Sequence, residues 1–596
     1  MDVTNEIAIK WVEETARVTQ PDSIYWLNGS EEEFQVLVQL AEKQGILQNI
    51  ISPGWEGSYT FTTDADSISS NNDIHYVCTE TKREAVESTS WARTAQWANS
   101  DEMSKQISFS MAGAMEGKTM YVVPCLLGTE NSPFTRVGIE VTDSLYVVLN
   151  LFLTSIIGDR AWRFLKGSSN FYKGVHISYN PAAKATYAVF PKQETIYAIN
   201  TSYAGYAFMP SVAWGMTLTS SDTDAKEVTP SHMMVLGIEN PEGEVKYIAA
   251  ASPSQGGKSN LASILPPEGV AEFAGYRCFS VSDDITWLHR AADGTIWAVN
   301  PTSGINSSLK YISEEQTPNV FNSIKQDSLF TNVARNQADE PWWIDRNSER
   351  PTMLKDVHGN IVHVDDNTDF NKLAAGSRFT KRTNVNRQQS EELIYTSGVP
   401  ISAILFITQD KGTTPILMES ESWQNGVLFG TGLSSGFDGE NTKFNPMGIL
   451  PYLSKSMGEY MHDWLKLGKN SDKLPRIYLA NWYREDEFGN RIWPGYRENF
   501  RILEWIFKRC NEEVDVQMSK IGNLPYARDV NLKGLNMSNE HFSKNLLNID
   551  FKKMDTSTDY FQEFLDDLHY VPDEIWEEFD KMDKTIREEV EAGNHY

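Results

Sequence analysis

HMMVLGIENPEGEVKYIAAASPSQGGKSN, residues 232–260, is the stretch on which the fold turns. Two apolar, β-prone runs flank Asn240-Pro-Glu-Gly243, a turn composition, so the segment predicts a hairpin. Its second strand runs straight into a loop of small residues, Ser252 to Asn260. Ser254, Gln255, Gly256 and Gly257 let successive N–H groups converge on phosphate oxygens, and Asn260 follows them. Lys258 supplies a point charge, and the Ser259 hydroxyl can reach a bound Mg²⁺. Ser252 stands where a complete Walker A loop has its first glycine, so the bland alternative is an ordinary turn. A second apolar strand, YRCFSVSDD, ends on Asp283 and Asp284, where a metal-bridging carboxylate belongs. A solvated strand end is the bland reading there. Strand, loop, expected helix and acid-ended strand together predict an α/β nucleotide site.

The surrounding chain sets limits. It has 596 residues, 40% hydrophobic, with 53 Lys and Arg against 81 Asp and Glu, a formal charge of −28. Such a surface repels phosphate backbones and anionic lipid, which argues against nucleic-acid and membrane partners. Cys78, Cys125, Cys278 and Cys510 form no CxxC pair, which disfavours a disulfide framework or a structural zinc site. No apolar run approaches the roughly 18 residues that span a bilayer, and the N-terminus has no apolar core of a leader. The expectation is a cytoplasmic protein.

Periodicity predicts helix through the first 50 residues, with Ser30 as an N-cap. It predicts loop from Ile51 to Glu80 and a β-rich block whose strongest segments are TMYVVPCLL and VGIEVTDSLYVVLNLFL. The polar stretch from Thr219 to Ser231 reads as a domain boundary. After Asn545 the chain is acidic with a helical pattern, which reads as a solvated tail. His232, at the head of the hairpin, and Arg378, in Gly-Ser-Arg-Phe, have structural readings by default. Asn481-Trp-Tyr and Trp493-Pro-Gly-Tyr-Arg-Glu-Asn499 offer stacking faces and an amide that could hold a purine, or could be core.

The chain resembles the GTP-dependent phosphoenolpyruvate carboxykinases from about Gln20 to Asn536. The matching stretches are QPDSIYWLNGSEEE, EGKTMYVVP, VGIEVTDSLYVV, HMMVLGIENPEGEVKYIAAASPS, GGKSNLA, SDDITW, FTNVA, GSRF, ESWQNGV, NWYREDEFGNRIWPGYREN and NLKGLN. The resemblance implies a two-lobed α/β fold. Residues 1–225 would form a substrate-type lobe and 226–545 a P-loop nucleotide lobe, with 546–596 an acidic helical segment packed on it or extending from it. It also implies decarboxylation of oxaloacetate with phosphoryl transfer from GTP, dependent on Mn²⁺ or Mg²⁺, and a monomer.

Residue by residue, the nucleotide side carries over. Lys258 and Ser259 match the kinase loop, and Asp283 and Asp284 its acidic partner. Tyr483, Tyr496 and Asn499 match positions that sandwich and read guanine, while a third aromatic there is Arg491, which leaves GTP against ATP open. His232 and Asp284 match two of three protein ligands to a catalytic Mn²⁺. Arg378 matches a contact to the transferring phosphoryl group, and Tyr203 a substrate-site tyrosine. The substrate side departs from the pattern. A substrate-binding arginine falls on Cys78. Paired lysines, one of them a Mn²⁺ ligand, fall on Ser211 and Val212. An asparagine becomes Tyr206, the kinase-loop cysteine becomes Gly256, and an arginine at the base of a mobile lid becomes Ser434. The arginine after Phe-Gly-Gly is missing from FITQDKG, the lid segment SSGFDGENTKF is shortened, and a Gly-Val-Ala-Pro-Gly loop has become NSSLKY.

Small polyanions need cationic, bidentate contacts, so these losses point away from oxaloacetate. The leading expectation is therefore a metal- and purine-nucleotide-dependent phosphotransferase with another, unidentified small-molecule acceptor. The alternatives are a genuine phosphoenolpyruvate carboxykinase and a non-catalytic nucleotide-binding protein.

Overall fold

The structure, a computed structural model, describes the chain except residues 1–3, 64–73, 93, 202–211, 223–227, 254–255, 347–349, 375, 383–396, 437–438, 440 and 594–596, and the side chains of Ser259 and Asn371. The chain divides into two units. One comprises Met1–Lys82, Ala95–Asp224 and Pro301–Arg387, the other Arg83–Thr94, Ala225–Asn300 and Gln388–Tyr596. The division is discontinuous: residues 301–387, which the resemblance assigns to the second lobe, group with the first.

The first unit is built on a nine-stranded mixed sheet. Its helix Glu6–Thr19 starts where the Asn5 side chain accepts from the Ala8 N–H, and it buries Ala8, Val12, Thr15 and Thr19 at helical spacing. Ser30 caps the helix Glu31–Lys43, and the Glu33 carboxylate reaches back to the N–H groups of Asn28 and Gly29. Between these helices the expectation of continuous helix fails. Ser23–Trp26 is a strand, because it pairs in parallel with Thr119–Leu127, a partner far away in the sequence. The expected loop from Ile51 to Glu80 likewise contains strands Tyr59–Phe61 and His75–Thr79.

A third correction concerns VGIEVTDSLYVVLNLFL. The strand ends at Thr142, and Leu145–Thr154 is a helix with every residue buried. A helix buried all round shows no amphipathic stripe, so its β-branched and aromatic content reads as strand. A five-stranded sheet in the same unit joins Gly304–Ser308, Arg378–Arg382, Ser328–Thr331, Tyr59–Phe61 and Gln48–Asn49.

In the second unit the predicted hairpin is present: Met233–Glu239 pairs antiparallel with Val245–Ala251, from Met233 opposite Ala251 to Glu239 opposite Val245. The second strand also pairs in parallel with Val399–Ile407, which pairs in parallel with Arg476–Ala480. Such central strands are covered on both faces, and Ile248, Ala249, Ala250 and Ala251 have no exposed surface. The helix expected after the glycine loop is a single turn, Lys258–Leu261. Pro266 and Pro267 follow closely and cannot continue a helix.

The acidic C-terminal residues are not a solvated tail. Helices Phe551–Asp566 and Asp573–Glu591 bury Phe551, Phe561, Phe564, Ile575, Phe579 and Ile586. Phe561 and Phe564 meet Phe444 with ring centroids 5.4 and 4.8 Å apart. Most of their acids lie on the exposed side, Glu589 being the buried exception.

Candidate nucleotide and metal site

The glycine loop closes tightly on itself. A Cβ at Gly256 would lie 2.5 Å from the Ser252 Cβ, and Gly257 has φ +84°, so small residues are required on steric grounds. Lys258 opens the one-turn helix and is buried. Its Nζ sits 2.6 Å from Asp284 Oδ1, just past the strand Arg277–Ser282. His232 Nε2 lies 3.0 Å from that same oxygen, and the Lys258 ammonium also donates to the His232 carbonyl at 3.4 Å. The hairpin strand and the acid-ended strand are hydrogen-bonded neighbours, and this adjacency brings residues 232, 258 and 284 to one point.

Burial pushes His232 well below its ordinary range, and the Lys258 charge adds to this. Both effects favour the neutral imidazole, with Nδ1 2.7 Å from the Gly448 carbonyl. A neutral ring that donates Nδ1–H there presents its Nε2 lone pair to the Asp284 carboxylate. In this structure the Lys258 ammonium, 2.6 Å from the shared carboxylate oxygen, is the cation beside them. Burial pushes Lys258 down as well, opposed by the charge of Asp283. The donor set thus fits a divalent ion held by one imidazole nitrogen and one carboxylate, with its remaining positions filled by water or phosphate oxygens. Among the described residues, no group of three or more His, Cys, Asp and Glu side chains gathers for a metal.

Gly448 has no signal in local sequence, because its contribution is a backbone carbonyl 216 residues from His232. Its φ is +71°, and a Cβ there would come within 2.8 Å of the Ser252 carbonyl oxygen. It thereby packs the loop and orients the histidine together.

The aromatic segment lies beside the loop. A Cβ at Gly257 would meet the Tyr483 hydroxyl at 3.9 Å. The Arg491 guanidinium stacks over the Tyr483 ring, 4.5 Å from its centroid. Tyr496 donates to the Ser263 carbonyl at 3.2 Å, just after the one-turn helix. Asn499, at the start of the helix Asn499–Cys510, accepts from Trp493 Nε1 at 2.8 Å. Asn481 has both ends of its amide in use. It donates to the carbonyls of Asp410 and Thr414 and accepts from the Tyr483 N–H, which fixes the strand end carrying Tyr483.

The remaining candidates are dispersed. Asn260 lies in the one-turn helix. Arg378 belongs to the first unit, in the strand Arg378–Arg382, where its guanidinium donates to the Asn306 side chain and carbonyl at 2.8 and 3.1 Å. Cys78 stands in that unit's apolar core, where burial pushes its thiol up to about 12. Val212 is buried at the head of the helical turn Ala213–Leu218. Ser434, in the second unit, is buried and bridged to Phe444. Tyr203, Tyr206, Ser211, Ser254 and Gln255 lie outside the described residues, as does the Ser259 side chain.

A parallel strand that feeds a glycine loop, with a lysine paired to the carboxylate of a neighbouring strand, defines a P-loop protein. The sequence comparisons give its family. Residues 229–585 match the phosphoenolpyruvate carboxykinase C-terminal P-loop domain, and residues 10–223 match the N-terminal domain of the same enzymes. Similar proteins named phosphoenolpyruvate carboxykinase [GTP] include one from Anaeromyxobacter sp. (strain K), 32% identical over 90% of this chain and 89% of the relative. One from Chlamydia felis is 31% identical over 98% of this chain and 99% of the relative. One from Corynebacterium kroppenstedtii is 30% identical over 99% and 96%. The chain belongs to the GTP-dependent phosphoenolpyruvate carboxykinase family, a family of enzymes with an N-terminal domain and a C-terminal P-loop domain.

Proposed function

We infer that the chain is a phosphoenolpyruvate carboxykinase that converts oxaloacetate to phosphoenolpyruvate and CO₂ with GTP as phosphoryl donor. The observation that carries this reading is the Lys258–Asp284–His232 cluster, in a chain that aligns nearly end to end with relatives of that name. In this reading the Lys258 ammonium exchanges the Asp284 carboxylate for terminal phosphate oxygens, while the loop N–H groups cradle the phosphates. Asp284 and His232 are thereby released to hold Mn²⁺ or Mg²⁺, and the imidazole nitrogen favours the transition ion. When bound, the ion would neutralise phosphate charge and polarise the transferring group. Gly448 keeps His232 in the tautomer that presents Nε2. Tyr483, Tyr496 and Asn499 would hold the purine, Arg491 would stack on it, and Arg378 would meet the transferring phosphoryl group. The protein would act as a cytoplasmic monomer without nucleic-acid or membrane partners.

A second reading, phosphoryl transfer from GTP or ATP to a less anionic acceptor, is favoured by the neutral residues Cys78, Ser211, Val212 and Ser434 and by Tyr206, with Tyr203 retained. Phosphoenolpyruvate formation from oxaloacetate, assayed with GTP or ATP and with Mn²⁺ or Mg²⁺, decides between them. Losing a charge-assisted contact costs about 1.5–3 kcal/mol, so Lys258→Ala should lower turnover by roughly 10- to 100-fold. Metal-dependent GTP binding without phosphoenolpyruvate would shift the assignment to the second reading. Full activity in the Lys258→Ala protein would overturn both.

A further inference from the structure

The second unit holds a cavity of about 130 Å³ whose wall includes no glycine-loop residue but does include Ser434, at the base of the segment that resembles a lid. It lies between the strand end at Thr408 and Leu479, the helix Trp423–Thr431 and the two C-terminal helices. Its wall is mainly apolar, with Phe444 and Phe561 and three methionines, Met418, Met554 and Met582. Gly432, Met554, Ser557 and Met582 are only half-buried and mark its mouth. Among the described residues the one charge in the wall is Asp410, and it is covered: it accepts from the N–H groups of Gly412, Thr413 and Thr414 and from both threonine hydroxyls. No Lys, Arg or His lines the cavity among the described residues.

These features select the ligand. A wall with no cation and a satisfied carboxylate rejects anions, which excludes nucleotides and dicarboxylates. An enclosed apolar cavity of about 150 Å³ binds benzene, and this one, about 130 Å³ and open at its mouth, has the scale of a single ring. Methionine side chains adapt to such a guest and make favourable contacts with aromatic faces.

Two short links join the cavity to the nucleotide site. Phe444 forms part of its wall, and four residues on, the Gly448 carbonyl receives His232 Nδ1–H and packs on the glycine loop. On the other side, Asp410 and Thr414 receive the Asn481 amide, whose oxygen holds the Tyr483 N–H. A guest that displaces Phe444 acts toward His232, and one that displaces the Asp410–Thr414 turn acts toward Tyr483.

We propose that this cavity is an effector site for a small, uncharged, single-ring molecule whose binding changes nucleotide affinity. The nucleotide arm rests on the function proposed above; the binding arm does not. Phenol is the probe, with the full-length protein labelled at its methionine ε-methyl groups. Saturable shifts are expected at Met418, Met554 and Met582 and not at Met103 or Met111 of the other unit. Ser557→Trp, which plugs the mouth without removing a core side chain, should abolish these shifts. Met582→Ala, which widens the cavity, should admit naphthalene. Phenol should change GTP affinity by about 5-fold or more, within the usual range of coupling between sites. Absence of shifts at the three methionines in the folded protein, or shifts that survive in Ser557→Trp, overturns the site. Shifts without any change in GTP affinity overturn the effector role. Phenol uptake by a chain that binds no GTP counts against the nucleotide reading and leaves the cavity standing.

Discussion

At the scale of single residues, the site is governed by how few charges share a dry space. Lys258, His232 and Asp284 hold one another in place, and neither the lysine nor the histidine sits at its ordinary pKa. The loop residues were legible in the sequence because a glycine loop after a strand is a local pattern. Gly448 was not, because a carbonyl contribution leaves no trace in side-chain identity. Nor was the core position of Cys78, which depends on strand pairing. A further consequence of burial belongs to His75, packed edge-on to Tyr187 with its pKa held down to about 4. The unfolded chain takes up a proton near pH 6.5 while the folded chain refuses it until about pH 4. His75 therefore contributes stability that is fully present above pH 6.5 and is lost as pH falls through 4, on the order of 3 kcal/mol. Denaturant unfolding at pH 7 and pH 4.5 should show a smaller loss in His75→Phe than in the parent; equal slopes would contradict this.

At the scale of elements, length and context overrode propensity in specific places. SIYW became a strand because an edge of the sheet was waiting at Thr119–Leu127, which no local window contains. LYVVLNLFL became a helix because burial on all sides removed the stripe that announces one. The C-terminal helices did carry their signal: Ile575, Phe579 and Ile586 fall at helical spacing, and the acid count obscured them. The turn between them packs on the helix Met457–Gly468, where a Cβ at Gly458 would lie 2.1 Å from the Tyr570 carbonyl oxygen. In Gly458→Ala the gain in helix propensity, about 1 kcal/mol, competes with overlap against rigid backbone, about 1–3 kcal/mol. Overlap should win, because neither partner can rotate away. The expected result is a lower melting temperature and earlier proteolytic cutting between the two C-terminal helices. A melting temperature raised by the substitution would show that the turn at Tyr570 yields.

For the whole molecule, charge is the dominant property. A chain of net charge −28 must receive an anionic nucleotide. At roughly 10 mM salt the screening length is about 30 Å and at 0.15 M about 8 Å, so repulsion from the distant surface fades while contacts inside the site persist. The association rate for GTP should therefore rise with ionic strength over this range in stopped-flow measurements, the reverse of electrostatic steering. A steep fall would mean that the local field of the site outweighs the surface. Among the described residues, no helix is long and apolar enough to cross a membrane.

The interleaving of the two units has a consequence for synthesis. The strand Tyr59–Phe61 has Gln48–Asn49 on one side, but its other edge finds its neighbour only at Ser328–Thr331, and Thr63 bonds Asn332 across 269 residues. At about 5–20 residues per second, that edge leaves the ribosome roughly ten seconds to a minute before its partner exists. An unpaired edge in a nascent chain is a template for the wrong strand. Recovery of active protein should therefore depend on translation speed and on holding chaperones more than the stability of the finished fold would suggest.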